Sequence, residues 1–420
     1  ALDVTLLPRL YGVFVTVTPD SQQERSDVRA IISNFAFIAA LMLAPVLAPG
    51  LIAGQAQAQD HYETEATHAV IMDFATGQVL FAKDAETPMA PSSMSKMMTV
   101  LMVLEAIDAG TLSMDDELPV SEYAWRTGGA ASGSSTMFLE LHSRARVDDL
   151  LRGVIIQSGG DACIVLAEAL SGSEAAFADA MTARAHELGL MSAHFTNSTG
   201  WPDPDHNISA LDLARLARIL IADHPEYYSI WSEREFTYNG IRQYNRNPLL
   251  GNFAGADGLK TGHTEAAGYG LVATAERDGQ RRIIVFNGMS SNRDRTSEAE
   301  RMMRAAMSDF AVYDLYAAGA AVDQRADVFM GQADTVGMQV GEAVQVALQR
   351  RARRNMTVSV VYDGPLMAPI AAGQEIGHLV VEAPGYEARS FPLFASEDVE
   401  RKGMFGRIGA ALAHMIRGGS

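Results

Sequence analysis

Cysteine is nearly absent. Cys163 is the single thiol in 420 residues, so no intramolecular disulfide can form. A chain this long buries enough apolar surface to fold without such staples, in the cytosol or after export. A basic excess is also absent: 33 Lys+Arg stand against 51 Asp+Glu, a net charge of −18. That excludes an ordinary nucleic-acid binder, which needs a cationic face. The ten histidines form no H-E-x-x-H pattern and no paired ligand spacing, so neither a metal nor any other cofactor is expected. There is no internal repeat and no low-complexity linker. What is present is 48% hydrophobic and 20% charged residues, enough for a packed core. The length exceeds one ordinary domain and suggests two, plus extensions.

The extensions are at the ends. Ile31 to Ala53 is almost unbroken apolar, preceded by Arg25 and Arg29 and followed by Ala56-Gln57-Ala58. A charged start, an apolar stretch and small residues at a cleavage site read as an export signal cut after Ala58. A retained membrane helix is the alternative. Residues 1–28 resemble an over-extended start and are set aside from fold reasoning. At the other end, Phe405, Ile408, Leu412, Met415 and Ile416 repeat at helical spacing, with Lys402, Arg407 and Arg417 mainly on the other side. A basic amphipathic helix over 397–420 suits the plane of an anionic membrane, contacting it through 399–417. Its alternative is a helix docked on the protein's own core.

Between the ends, strands are expected at 69–74 and 78–82, joined by a turn at Ala75-Thr76-Gly77. Helices are expected at 94–107, 148–156, 162–170, 175–188, 211–222 and 298–307, with strands at 268–275 and 282–287. Helices in the middle and strands at both ends predict one sheet built from distant segments with a helical cluster against it, an α+β catalytic domain over 59–315. Beyond Leu315, alternating strands at 343–348, 356–362 and 375–382 predict a small all-β domain over 316–396. Arg350-Arg351-Ala352-Arg353-Arg354 falls between two of these strands. It reads as a solvated hairpin tip or as a contact for anionic wall polymer or lipid.

The chemistry lies in three short motifs. In Ser93-Met94-Ser95-Lys96 the serine and lysine share one helix face near its N-terminus. Met94, Met97, Met98, Val100, Leu101 and Met102 surround them, and burial among such residues lowers a lysine's pKa enough for it to act as a base. Lys260-Thr261-Gly262, followed by His263, places a cation and a hydroxyl on a strand edge, where they can hold a carboxylate. Ser158, in the turn Ser158-Gly159-Gly160, can exchange protons with both lysines. Cys163 begins an apolar helix and reads as a small core residue.

Ser-x-x-Lys with a later Lys-Thr-Gly is the mark of penicillin-binding proteins and β-lactamases. The flanks are more specific. Segments 91–112, 133–139, 153–163, 245–247 and 257–275, with Ala368-Pro369-Ile370 and 373–377, resemble the D-alanyl-D-alanine carboxypeptidases among low-molecular-mass penicillin-binding proteins. The likeness covers 64–420. It implies a β-lactamase/transpeptidase-like catalytic domain, a β-domain and a C-terminal amphipathic helix. It also implies a peptidoglycan pentapeptide substrate, covalent inhibition by β-lactams and a place at the periplasmic face of the inner membrane. By the same resemblance Ser93 is the acylated nucleophile, Lys96 its base and Ser158 a proton relay. Lys260 supplies charge, Thr261 binds the terminal carboxylate, and the backbone N–H groups of Ser93 and His263 form the oxyanion hole. Gly262 allows close approach, and Arg246 and Arg295 assist on the carboxylate side.

One position departs from the family's pattern. Its middle motif is Ser-x-Asn, and here the third residue is Gly160. Asp161, next in sequence, is the candidate to compensate. The rival readings are a DD-endopeptidase, a β-lactamase, or a weakened wall-binding scaffold marked by Gly160. A lactamase needs an activating Glu with an Asn, and Glu187-Leu188-Gly189 lacks the latter.

Overall fold

In the computed structural model the described residues are 2–8, 13–19 and 62–403. Two strands come first, β1 (Leu2–Pro8) and β2 (Val13–Pro19). The catalytic unit begins with β3 (His68–Asp73) and β4 (Val79–Lys83). A 3-10 turn over Ser92–Ser95 then leads into α1 (Lys96–Asp108). Next are β5 (Glu117–Pro119), α2 (Glu122–Gly128), β6 (Arg144–Arg146) and α3 (Val147–Arg152). A single π turn over Gly153–Gln157 precedes α4 (Gly160–Ser171), α5 (Glu174–Glu187) and α6 (Ala210–Asp223). The hairpin β7 (Glu235–Tyr238) and β8 (Ile241–Tyr244) follows. The unit is completed by β9 (Ala256–Thr264), β10 (Gly268–Arg277), β11 (Gln280–Met289) and α7 (Asn292–Ser308).

The sheet is antiparallel, in the order β4-β3-β11-β10-β9, so the strand carrying Lys260-Thr261-Gly262 lies at one edge. Strand periodicity of two divides its residues between two faces. Val70, Met72, Val272, Ile283 and Val285 join the core made with α1, α4 and α6. Their alternates Ile71, Ile284 and Phe286 are also buried, and α7 packs on β10 and β11. On that second side Arg282 is fully buried, paired with Asp73 across the strands and donating to Ala306 O.

Helix limits follow their caps. Ser173, Ser209 and Ser291 each accept a backbone N–H three residues on, which fixes the starts of α5, α6 and α7. Helix α7 therefore begins six residues before the expected 298, because its first turns are polar (Asn292 to Ser297) and show no apolar period.

In the C-terminal unit, β12 (Phe310–Tyr316) leads to β13 (Ala321–Phe329), β14 (Thr335–Val340) and β15 (Val344–Gln349). Then come β16 (Thr357–Val361), β17 (Leu366–Met367), β18 (Glu375–Glu382) and β19 (Arg389–Ala395). Strands β12 and β15 pair as a separate two-stranded sheet, and the others join β1 and β2 in a sheet of order β1-β2-β16-β18-β19-β14-β13-β17, over a core that includes Val336, Met338, Leu379, Leu393 and Val399. Residues 2–8 and 13–19, set aside on sequence, thus supply two strands, as Val/Thr-rich segments can. The apolar stretch of the expected export signal lies outside the described residues. So do residues 404–420 of the expected terminal helix. Its first residues are not helical: Val399 bridges Ile370, Arg401 bridges Gly331, and Val399 is buried in the β-domain core. The arginine run forms a 3-10 turn over Ala352–Asn355 between β15 and β16, with Arg353 over the Tyr313 ring.

The α5–α6 connection forms one wall of the functional cleft, and His206 is its internal brace. The ring is 2% exposed, packs against Phe195, and accepts the Thr196 N–H at Nδ1 (3.1 Å). Burial, reinforced by the Lys96 charge, holds the imidazole down to about 4. The folded state thus keeps His206 neutral while the unfolded chain titrates near the ordinary value of ~6.5. Its contribution is whole above about pH 6.5 and is lost as the pH falls to about 4, an effect of about 3 kcal/mol. Urea titrations at pH 7 and pH 4 are expected to show this loss in the parent and a smaller one in His206→Asn.

Candidate active site

Ser93 sits on the 3-10 turn and Lys96 is the first residue of α1. Lys96 Nζ lies 3.0 Å from Ser93 Oγ. It also donates to Thr199 O, a carbonyl 103 residues away in sequence. The Lys96 side chain is 2% exposed among Met94, Met97 and Met98, all wholly buried. Burial pushes its pKa below lysine's ordinary 10.5, and the Arg246 charge acts in the same direction.

The Thr199 carbonyl is held by a chain of contacts invisible in the sequence. Glu174 is buried at the start of α5 and accepts from Ser198 N (3.1 Å), Ser198 Oγ (2.7 Å) and Tyr123 OH (3.0 Å). Thr99 Oγ1 donates to Ser198 O at 2.7 Å. One turn below Lys96, α1 thereby fixes the loop that fixes Lys96. In the sequence Glu174 looks like any first-turn acid after an N-cap serine.

Ser158 closes the π turn in the left-handed region, φ 66° and ψ 31°. A non-glycine residue held there costs about 1–3 kcal/mol and marks a site whose surroundings over-determine it. Its Oγ is buried and has no hydrogen-bond partner among the described residues. The expected bonds from Ser158 to the two lysines are therefore not formed: Lys96 turns to Ser93 and Thr199, and Lys260 Nζ to Thr261 O at 3.2 Å.

On β9 the alternation of side chains separates Lys260 from Thr261. Ser93, Lys96, Ser158, Thr261, Gly262, His263, Arg246 and Arg295 all line one cleft of about 1830 Å³; Lys260 is buried behind its wall. Burial first, then the Lys96, Arg246 and Arg295 charges, hold Lys260 well below its ordinary pKa. Among the described residues the cleft's acids are only Glu235 and Glu265, both exposed, so its interior favours an anionic group.

Arg246 donates to Ser135 Oγ at 2.8 Å, and the Asn247 amide beside it anchors to Gly258 O at 2.7 Å. Arg295 is 6% exposed and pushed down to about 10 by burial, and its Nε lacks a partner among the described residues. Tyr269 stacks on His263 (3.8 Å between centroids) and faces the Arg295 guanidinium (5.5 Å), a link between β9, β10 and α7 that sequence reasoning missed.

Asp161 does not compensate for Gly160. It is wholly buried and accepts from Thr136 Oγ1 (2.5 Å), Met137 N (2.9 Å), Leu139 N (3.1 Å) and Ala162 N (3.0 Å). Its carboxylate braces the 136–139 segment, because unpaired backbone N–H groups there would otherwise be buried. Cys163 is buried and its thiol is pushed up to about 12, which makes it inert as a nucleophile.

Comparison with known proteins agrees with this geometry. Residues 54–291 match the S11 peptidase family, described as D-alanyl-D-alanine carboxypeptidase, and residues 310–401 match the C-terminal domain of penicillin-binding protein 5. D-alanyl-D-alanine carboxypeptidase DacC of Escherichia coli (strain K12) is 38% identical over 343 residues, 81% of this chain and 85% of that protein. Penicillin-binding protein 5 of Haemophilus influenzae superimposes with a TM-score of 0.71 at 33% identity, covering 81% of this chain and 99% of that one. Penicillin-binding protein D2 of Listeria monocytogenes, solved in its ampicillin-bound form, gives a TM-score of 0.52 at 30% identity over 60% of this chain and all of that one. This chain belongs to the S11 peptidases, the D-alanyl-D-alanine carboxypeptidase family.

Proposed function

We propose that the chain is a serine-type D-Ala-D-Ala carboxypeptidase that trims peptidoglycan stem peptides and is acylated by penicillins. The observation that carries the reading is the 3.0 Å approach of a buried, pKa-depressed Lys96 to Ser93 Oγ, beside an open strand edge.

The residues would act as follows. The peptide's C-terminal end lies along β9, with its carboxylate toward Thr261 Oγ1, Arg246 and Arg295. Neutral Lys96 takes the Ser93 proton as Oγ attacks the carbonyl of the penultimate D-alanine. The oxyanion is held by the Ser93 and His263 N–H groups. The C–N bond then breaks, and the proton passes through Ser158 to the departing D-alanine amine. Water, activated by the same lysine, hydrolyses the ester at Ser93. Lys260 lies behind the wall, where burial first and then the Lys96 charge hold it well below its ordinary pKa, since two adjacent buried cations repel.

We further infer an exported enzyme held at the periplasmic membrane face by its C-terminal residues. The apolar run before Ala56-Gln57-Ala58 and the basic amphipathic pattern of 404–417 support this reading. No helix among the described residues is long and apolar enough to cross a membrane.

A fluorescent penicillin should label the parent covalently and fail on Ser93→Ala. Lys96→Arg keeps the charge but cannot lose it, so acylation should fall about 10²–10⁴-fold. In the parent, the acylation rate should rise with pH along a limb whose midpoint lies below lysine's ordinary 10.5. Purified protein incubated with muropeptides should release single D-alanine residues; release of cross-linked partners instead would favour an endopeptidase. Full-length protein should float with phosphatidylglycerol vesicles, and a chain ending at Gly403 should not. Equal flotation of the two would remove the tail from the anchoring role.

A further inference from the structure

The lysine that faces Ser93 has its direction set from outside its own helix. A neutral lysine amine carries two N–H bonds and one lone pair. Lys96 Nζ gives one N–H to Thr199 O, and the rest of the amine faces Ser93 Oγ at 3.0 Å. The aim of the lone pair therefore depends on where Thr199 O stands. Among the described residues, 196–202 make no backbone–backbone hydrogen bond, so no ladder holds that carbonyl. Asn197 shapes the loop from within: its Oδ1 accepts from Thr199 N (3.1 Å), Thr199 Oγ1 (2.9 Å) and Trp201 N (3.0 Å). Apart from Lys96, the hydrogen bonds that tie 198–199 to the helices come from Glu174, which accepts from Ser198 N and Oγ, and from Thr99, which donates to Ser198 O. Every partner of the Glu174 carboxylate is a donor, Tyr123 OH being the third, and an acceptor-only group suits all three. The loop also lies directly on the nucleophile's turn, since a Cβ on Gly200 would collide with Ser92 O.

We infer that Glu174 is a positioning residue for the reaction, with Thr99 as its counterpart on α1. Glu174 does not line the main cleft and makes no contact with Ser93. Through Ser198 it holds the Thr199 carbonyl, and that carbonyl turns the Lys96 lone pair onto the proton to be taken. In acylation the proton leaves Ser93 Oγ for Lys96 Nζ as Oγ bonds to the carbonyl carbon. In deacylation it leaves water for the same nitrogen as the water oxygen bonds to that carbon. The inference rests on the proposed function for Lys96 as the base of both steps.

The test uses full-length protein, benzylpenicillin and a pentapeptide ending in D-Ala-D-Ala. Acylation by the penicillin and hydrolysis of its adduct are timed separately. Hydrolysis starts from a covalent complex, so a loosened cleft that merely bound ligand less well would leave it unchanged. Glu174→Ala should slow both steps, each about 10–100-fold, the cost of a misplaced catalytic group. Glu174→Gln keeps an acceptor for Ser198 N and Oγ and should keep most of both rates. Thr99→Val changes the side-chain volume little and removes the other tie; it should slow both steps about fivefold, the worth of one neutral hydrogen bond. Circular dichroism checks folding, and Thr99→Val decides the matter if Glu174→Ala does not fold. Slowed acylation with unchanged hydrolysis would overturn the inference. So would unchanged rates in Thr99→Val, or a folded glutamine variant as impaired as alanine. A parent that released no D-alanine from the pentapeptide would remove the carboxypeptidase reading, while the two penicillin rates would still decide Glu174.

Discussion

Two lysine side chains lie inside this protein, and among the described residues neither has a carboxylate in ion-pair contact. Lys96 and Lys260 are each 2% exposed. An unpaired buried charge is costly, so burial pushes both below their ordinary pKa, toward the neutral form. The rest of the catalytic unit can be read as what keeps this state in place. The methionines around α1 exclude water from Lys96. Glu174, one residue layer away, anchors the 198–199 loop rather than pairing with a lysine. Asp161, also nearby, is consumed by three backbone N–H groups and a hydroxyl. Either acid in direct contact with Lys96 would hold its pKa up and weaken it in its proposed role as the base.

Much of the framework is legible in the sequence because it follows apolar periodicity. Helices α1, α4, α5 and α6 and strands β10 and β11 lie close to where their patterns put them. The misses have local causes. The start of α7 is polar and is declared only by Ser291 and its capping bond to Asp294 N. Strand β19 contains Pro392, a residue that argues against a central strand, yet it pairs on both sides. Strand β13 alternates with small residues such as Ala326, whose apolar signal is weak.

The site was legible where chemistry demands particular residue types and not where it demands geometry. Ser93, Lys96 and Thr261 are visible as motif members. The Thr199 carbonyl is not, because any residue supplies a carbonyl. Nor is the π turn before Ser158, since a shift in hydrogen-bond register leaves no trace in composition.

The free edge of β9 carries a further consequence. Exposed sheet edges invite pairing with any strand they meet, including one from another folded protein. Here the edge is recessed: the Ser92–Ser95 turn packs against β9, and the Trp201 and Arg246 loops form part of the same cleft. An edge set back in this way is reached by an extended segment that enters the cleft, rather than by the flat edge of another folded sheet.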